Sequence, residues 1–137
     1  MSNICVNITP AIPKELPLTD NDIFEIVVSS IKKLRPGLTN KLEIEIIFAN
    51  EEEMRSLNNE HRKIDKSTDV LSFPQEQFPE SLVNILGSIV ICLNKVSEKK
   101  EDPSDVIKHG LLHLLGFDHE TDEKNWSEAA DKIDCEL

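Results

Sequence analysis

HGLLHLLGFDH, residues 109–119, holds three of the four histidines of the chain and its most specific local pattern. On a helix His109 and His113 are one turn apart, so their side chains share a face with Cβ atoms roughly 6 Å apart, close enough for two imidazoles to grip one ion. Gly116 suits the left-handed conformation that ends a helix, which folds the chain back and brings His119 to the same point. Three neutral imidazoles with an open fourth position describe a catalytic zinc centre with one Zn2+ per chain, because a structural zinc would need a fourth protein ligand and usually cysteine. Leu111, Leu112, Leu114 and Leu115 interleave with the histidines and are expected to be core.

The spacing His, His, Gly, His at 0, 4, 7 and 10 is that of the metzincin peptidases, HExxHxxGxxH. Their general-base glutamate is replaced by Gly110, which has no side chain to take a proton from zinc-bound water, so peptide hydrolysis on that plan is disfavoured.

Working outward, Asp102-Pro103 opens the histidine helix with proline near its first turn, and a polar helix follows from Asp122. Upstream, Leu86 to Leu93 is the best candidate for a central strand, and Asp69 to Phe73 is a short apolar run stopped by Pro74. Asn50 with Glu53 three residues on forms a capping box for a helix reaching about His61. Leu42, Ile44, Ile46 and Phe48 alternate with Glu43, Glu45 and Ile47, giving a strand with one mostly polar flank that is expected near a sheet edge. Ile23, Ile26, Val27, Ile31 and Leu34 stripe a helix capped at Thr19 or Asp20 and ended by Pro36-Gly37, and Ile4, Val6 and Ile8 alternate in a first strand ended by Pro10 and Pro13. The expectation is a single α+β domain over residues 1–137: a mixed sheet of about four strands packed by four or five helices, with the zinc site at the end of a helix in the C-terminal half.

Composition agrees with a soluble globular chain. With 137 residues, 39% hydrophobic and 30% charged, it can bury roughly two thirds of its unfolded surface in one core. No apolar run approaches the ~18 residues a membrane span requires, and the first thirteen residues carry no Lys or Arg, so no membrane partner and an intracellular, cytoplasmic location are expected. Cys5, Cys92 and Cys135 are odd in number and widely spaced, which fits a reducing compartment and small apolar fillers. The net charge of −11 opposes non-specific binding to nucleic acid. Charge is uneven, however: Arg55, Arg62, Lys63 and Lys66 outnumber Glu60 and Asp65 between Met54 and Thr68, whereas the tail from Gly110 is strongly acidic. A positive patch can therefore exist on this acidic protein.

Arg62 lies in LNNEHRKIDKSTDVLSFP, residues 57–74. A guanidinium is a permanently charged fork suited to phosphate oxygens, and beside zinc it can stabilise charge building on phosphorus. This stretch, together with LGSIVIC and HGLLHLLGFDH, resembles the YbeY family of single-strand-specific, metal-dependent endoribonucleases implicated in 16S rRNA 3′-end maturation and ribosome quality control. The resemblance spans about Leu42 to Glu120. It implies His109, His113 and His119 as zinc ligands, Arg62 as the essential catalytic arginine, an α+β fold, single-stranded RNA and rRNA as substrate, and the small ribosomal subunit with its associated factors as partner; DNA is not expected.

The chain departs from the family pattern at Ser88, where a carboxylate usually follows LG, and at His61, where an aromatic usually precedes the arginine. The connection from Leu93 to His109 is short, which implies a trimmed helix. Asp118 is a candidate for orienting water or a histidine or for capping a helix end, and Thr68 and Asp69 for the pocket wall or a turn before a strand. Two other function classes are a zinc peptidase of unusual base usage and a non-catalytic ribosome-binding module in which zinc only fixes the fold.

Overall fold

The structure, a computed structural model, describes residues 4–9, 17–37, 41–74 and 83–135. In chain order they form β1 (Ile4–Thr9), α1 (Asp20–Leu34), β2 (Lys41–Phe48), α2 (Glu51–Arg62), β3 (Val70–Pro74), β4 (Val83–Ile91), α3 (Leu93–Glu98), α4 (Pro103–Leu114) and α5 (Glu123–Lys132). This is the expected α+β arrangement of four strands and five helices. The expected stop of the first strand at Pro10 and Pro13 lies outside the described residues.

Short-range chemistry sets the helix starts. Thr19 accepts from the Asp22 N–H at 3.1 Å while Asp22 accepts from the Thr19 N–H at 2.9 Å, and Asn50 and Glu53 repeat the exchange for α2. Asp102 accepts from the Ser104 N–H ahead of Pro103, whose missing donor costs nothing at that position.

The sheet has the order β1-β2-β4-β3, with β1/β2 and β2/β4 parallel and β3/β4 antiparallel. β4 is internal as expected, but β2 is internal too, which corrects the edge placement. The polar flank of β2 comes from an open face rather than an open edge: Glu45 is exposed and accepts a hydrogen bond from Ser88 of β4 at 3.2 Å, while Leu42, Ile44, Ile46 and Phe48 on the other face are buried. An antiparallel or mixed sheet tolerates this one-sided covering.

The covered face carries the main core. Ile23, Val27 and Ile31 of α1 and Val106, Ile107, Leu111 and Leu114 of α4 close over the strand residues, each fully buried aliphatic contributing roughly 1.5–3 kcal/mol. Part of the opposite face is covered by α2, whose Met54 packs on Leu71, Val90 and Cys92. Cys92 and Cys135 are buried fillers, but Cys5 is exposed, because β1 alternates and turns Cys5, Asn7 and Thr9 to solvent.

The seat of α4 on β4 is unusually close at Gly110. A Cβ there would come within 2.8 Å of Ile89 Cγ2, and the Gly110 carbonyl accepts from Ser72 Oγ of β3 at 3.3 Å. The substitution Gly110→Glu, which would complete the metzincin pattern, should therefore lower stability by more than about 3 kcal/mol, since it drives a carboxylate into a packed apolar contact. Thermal melting tests this, and a melting temperature equal to wild type would contradict the seating described.

Candidate metal centre and active-site cleft

α4 turns Ile107, Gly110, Leu111 and Leu114 toward the core, which leaves His109 and His113 on the adjacent face. Its end is a Schellman motif. The Gly116 N–H donates to the His113 carbonyl at 3.1 Å and the Phe117 N–H to the Leu112 carbonyl at 2.9 Å, with Gly116 at φ +95°. This reversal delivers His119 to the other two histidines. Ring centroids are 4.9 Å apart for His109 and His113, 5.7 Å for His109 and His119, and 5.6 Å for His113 and His119. One ligand atom from each lies within 4.8 Å of the others, and among the described residues this group of three takes in no fourth side chain.

The rings rest on Trp126 of α5, whose centroid is 5.0 Å from each of them and which is buried. Sequence analysis did not single out Trp126. Its signal was the stripe Trp126, Ala129, Ala130 and Ile133 on an otherwise polar helix, which packs with Leu34 and Leu112.

Electrostatics favour the ligand form of the histidines. Burial, then the neighbouring His113 and His119, push His109 down to about 4, with Asp69 pulling the other way. Burial and His119 also lower His113, against the pull of Asp118 and Glu120. His109 and His113 are thus neutral near pH 7, and a neutral imidazole is the form that binds a metal. His109 Nδ1 is buried with no hydrogen-bond partner, an orphan of the kind that points to an unmet ligand role. Neutral nitrogens, their mutual approach and this orphan fit a divalent ion of borderline softness.

The histidines form one wall of a cleft of about 590 Å³ that also takes in Arg62, Thr68, Asp69, Ser72, Glu101, Asp118 and Glu120. Arg62 is the last residue of α2, followed by Lys63 in the left-handed conformation at φ 60°, and among the described residues its guanidinium has no hydrogen-bond or ion-pair partner. The neighbouring basic residues are not equivalent, because Arg55 is held by Asp65 through two hydrogen bonds of 2.7 and 3.0 Å. Buried Asn58 ties the end of α2 to the following loop by donating to the Lys66 carbonyl at 2.8 Å.

Thr68 and Asp69 line the cleft, and Asp69 accepts from Thr68 Oγ1 and the Val70 N–H where β3 begins. Asp118 likewise lines the cleft while accepting from the Glu120 N–H at 2.8 Å; that hydrogen bond is the main reason its carboxyl lies below its ordinary range. His61 stands at the helix end against Phe73, outside the histidine group. Ser88 is bonded to Glu45 and is not among the residues lining the cleft. Glu101, just before α4, and Glu120 are cleft carboxyls that sequence analysis missed, since nothing in their neighbours forecasts a place on the wall shared with Arg62 and Asp69.

Residues 14–133 match the family model described as Endoribonuclease YbeY. Among curated relatives, Endoribonuclease YbeY of Sulfurimonas denitrificans is 44% identical over 77% of this chain and 79% of its own length. That of Aliarcobacter butzleri is 43% identical over 78% of this chain and 81% of its own. The solution structure of TM1509 from Thermotoga maritima is similar with a TM-score of 0.51 at 24% identity, covering 96% of this chain and 84% of that one, a likeness of fold. The extent of the family match and the identity to these relatives establish that the chain belongs to the YbeY endoribonuclease family.

Proposed function

We propose that this protein is a zinc-dependent endoribonuclease that cuts single-stranded RNA and acts with the small ribosomal subunit in 16S rRNA 3′-end maturation and quality control, in the cytoplasm. The observation that carries this reading is one cleft that brings three imidazoles together with a guanidinium that has no partner among the described residues. The printed names of the relatives supply the substrate class. No helix among the described residues is long and apolar enough to cross a membrane.

His109, His113 and His119 would hold the ion, which supplies a Lewis acid and a water of lowered pKa when bound. Arg62 accepts no other role in the described structure and can fork onto two phosphate oxygens, fixing the scissile group and countering the charge that builds on phosphorus. Trp126 backs the three rings. With an overall charge of −11, affinity for RNA must come from such local contacts rather than from the general field. A peptidase reading finds no support, because the direction that a glutamate at position 110 would take leads into Ile89.

Purified protein should carry stoichiometric zinc and cut single-stranded RNA. Stripping the metal, or making His113→Ala, should abolish cutting, and the variant should also lose its zinc by elemental analysis; cutting by zinc-free protein would refute the reading. Arg62→Ala should keep zinc and melting temperature while lowering kcat about 10²–10³-fold, the scale of losing one preorganised charge-stabilising group. A non-catalytic binding module would instead tolerate Arg62→Ala and unfold on His113→Ala.

A further inference from the structure

Trp126 lies 5.0 Å, centroid to centroid, from each of His109, His113 and His119, whose own rings are 4.9 to 5.7 Å apart. A point equally far from three corners stands on the axis through the centre of their triangle, so the indole caps one of its two faces. It meets His109 and His119 nearly edge to face, at 68° and 79°, and His113 at a tilt of 47°. Edge-to-face contact is an arrangement that ring quadrupoles favour. The cleft takes in all three histidines and Arg62 but not Trp126, and so reaches the triangle from its other face.

Ligating imidazoles are ordinarily oriented by a hydrogen bond from the second ring nitrogen to a carboxylate or carbonyl. Among the described residues the ring nitrogens of His109, His113 and His119 have no such partner, and His109 Nδ1 is buried. What holds the rings is therefore packing, and the surface they pack on is firmly seated. Trp126 is 6% exposed on α5, whose Ala129, Ala130 and Ile133 pack with Leu34 of α1 and Leu112 of α4, the neighbour of His113. The Asp122 N–H donates to the Asp118 carbonyl at 3.0 Å and the Trp126 N–H to the Asp122 carbonyl at 3.1 Å, which ties the start of α5 to the residue before His119. An indole offers a donor N–H and no acceptor, so it closes its face without becoming a fourth ligand.

On the zinc reading of the three histidines, we propose that Trp126 is the positioning residue of the metal centre: it fixes the three rings by contact and confines the ion's open coordination position to the face shared with Arg62. A single flat side chain touching all three ligands does the work that separate hydrogen bonds do elsewhere. With one face of the triangle capped, a phosphate oxygen meets the metal centre from the cleft, where the guanidinium lies. Without the indole the rings are free to turn about their own bonds, and their nitrogens lose the shared direction that one ion requires.

Trp126 is the only tryptophan of the chain, which has no tyrosine, so its fluorescence reads this contact alone. In chelator-stripped full chain, cobalt(II), a paramagnetic stand-in for zinc, should quench that emission with a break at one ion per chain. Trp126→Leu should bind zinc about 10–100-fold more weakly than wild type in competition with a chelator, measured on the folded protein. It should also alter the visible spectrum of the cobalt(II) form and, at saturating zinc, lower kcat on single-stranded RNA at unchanged KM. Trp126→Phe, which returns an aromatic face, should recover the zinc affinity to within a few-fold of wild type. Trp126→Met fills the space without a flat face and takes the place of Trp126→Leu if that variant does not fold. Cobalt(II) binding that leaves the emission unchanged, or a folded variant with lowered melting temperature but wild-type zinc affinity and cobalt(II) spectrum, overturns the role of Trp126 while leaving the zinc endoribonuclease reading in place. A wild type that binds neither ion overturns both.

Discussion

The contact between α4 and β4 at Gly110 and Ile89 governs the geometry of the cleft. Without a side chain at Gly110 the helix axis approaches the sheet closely, and this approach sets the rotation of α4 about its own axis. Once Gly110, Leu111 and Leu114 are committed to the strands, His109 and His113 can only project beside β3, where Asp69 and Ser72 face them across the cleft. A residue with a Cβ would force the helix outward or turn it, and every distance in the cleft would change with it.

The second constraint is electrostatic. This is a strongly acidic protein that must admit a polyanion, and the cleft does so with few charges. Burial favours the neutral form of His109 and His113 against the pull of the acidic surroundings, and among the described residues Arg62 is left without an anion while Arg55 nearby is paired with Asp65. Where two acids of the cleft wall come near each other, burial and the Asp69 carboxylate push the Glu101 carboxyl up to about 7 while Asp69 is held below its ordinary range.

Much of this was legible beforehand for a definite reason. Helix starts at Thr19, Asn50 and Asp102 depend on residues within three positions of one another, and the histidine pair depends on a single helical turn. Alternation in β2 correctly told which residues are buried but was misread as to place, because a period of two reports a polar face and says nothing of what lies at the strand's edges. Cys5 was misjudged on the same ground: residue type suggested a filler, while the alternation of β1 puts it on the solvent face.

Local order, then, was written in the chain: the caps, the strand alternation, the stop at Gly116 and the spacing of three histidines all act over a few residues, and a sequence states such couplings directly. Strand order, the burial of Trp126 under the histidines and the meeting of Arg62, Asp69 and Glu101 around one cleft came only from packing. Arg62 and Asp69 lie tens of residues from Glu101 and the histidines, and what joins them is the fit of helices onto a shared sheet, a property of assembled surfaces that no short window of residues carries.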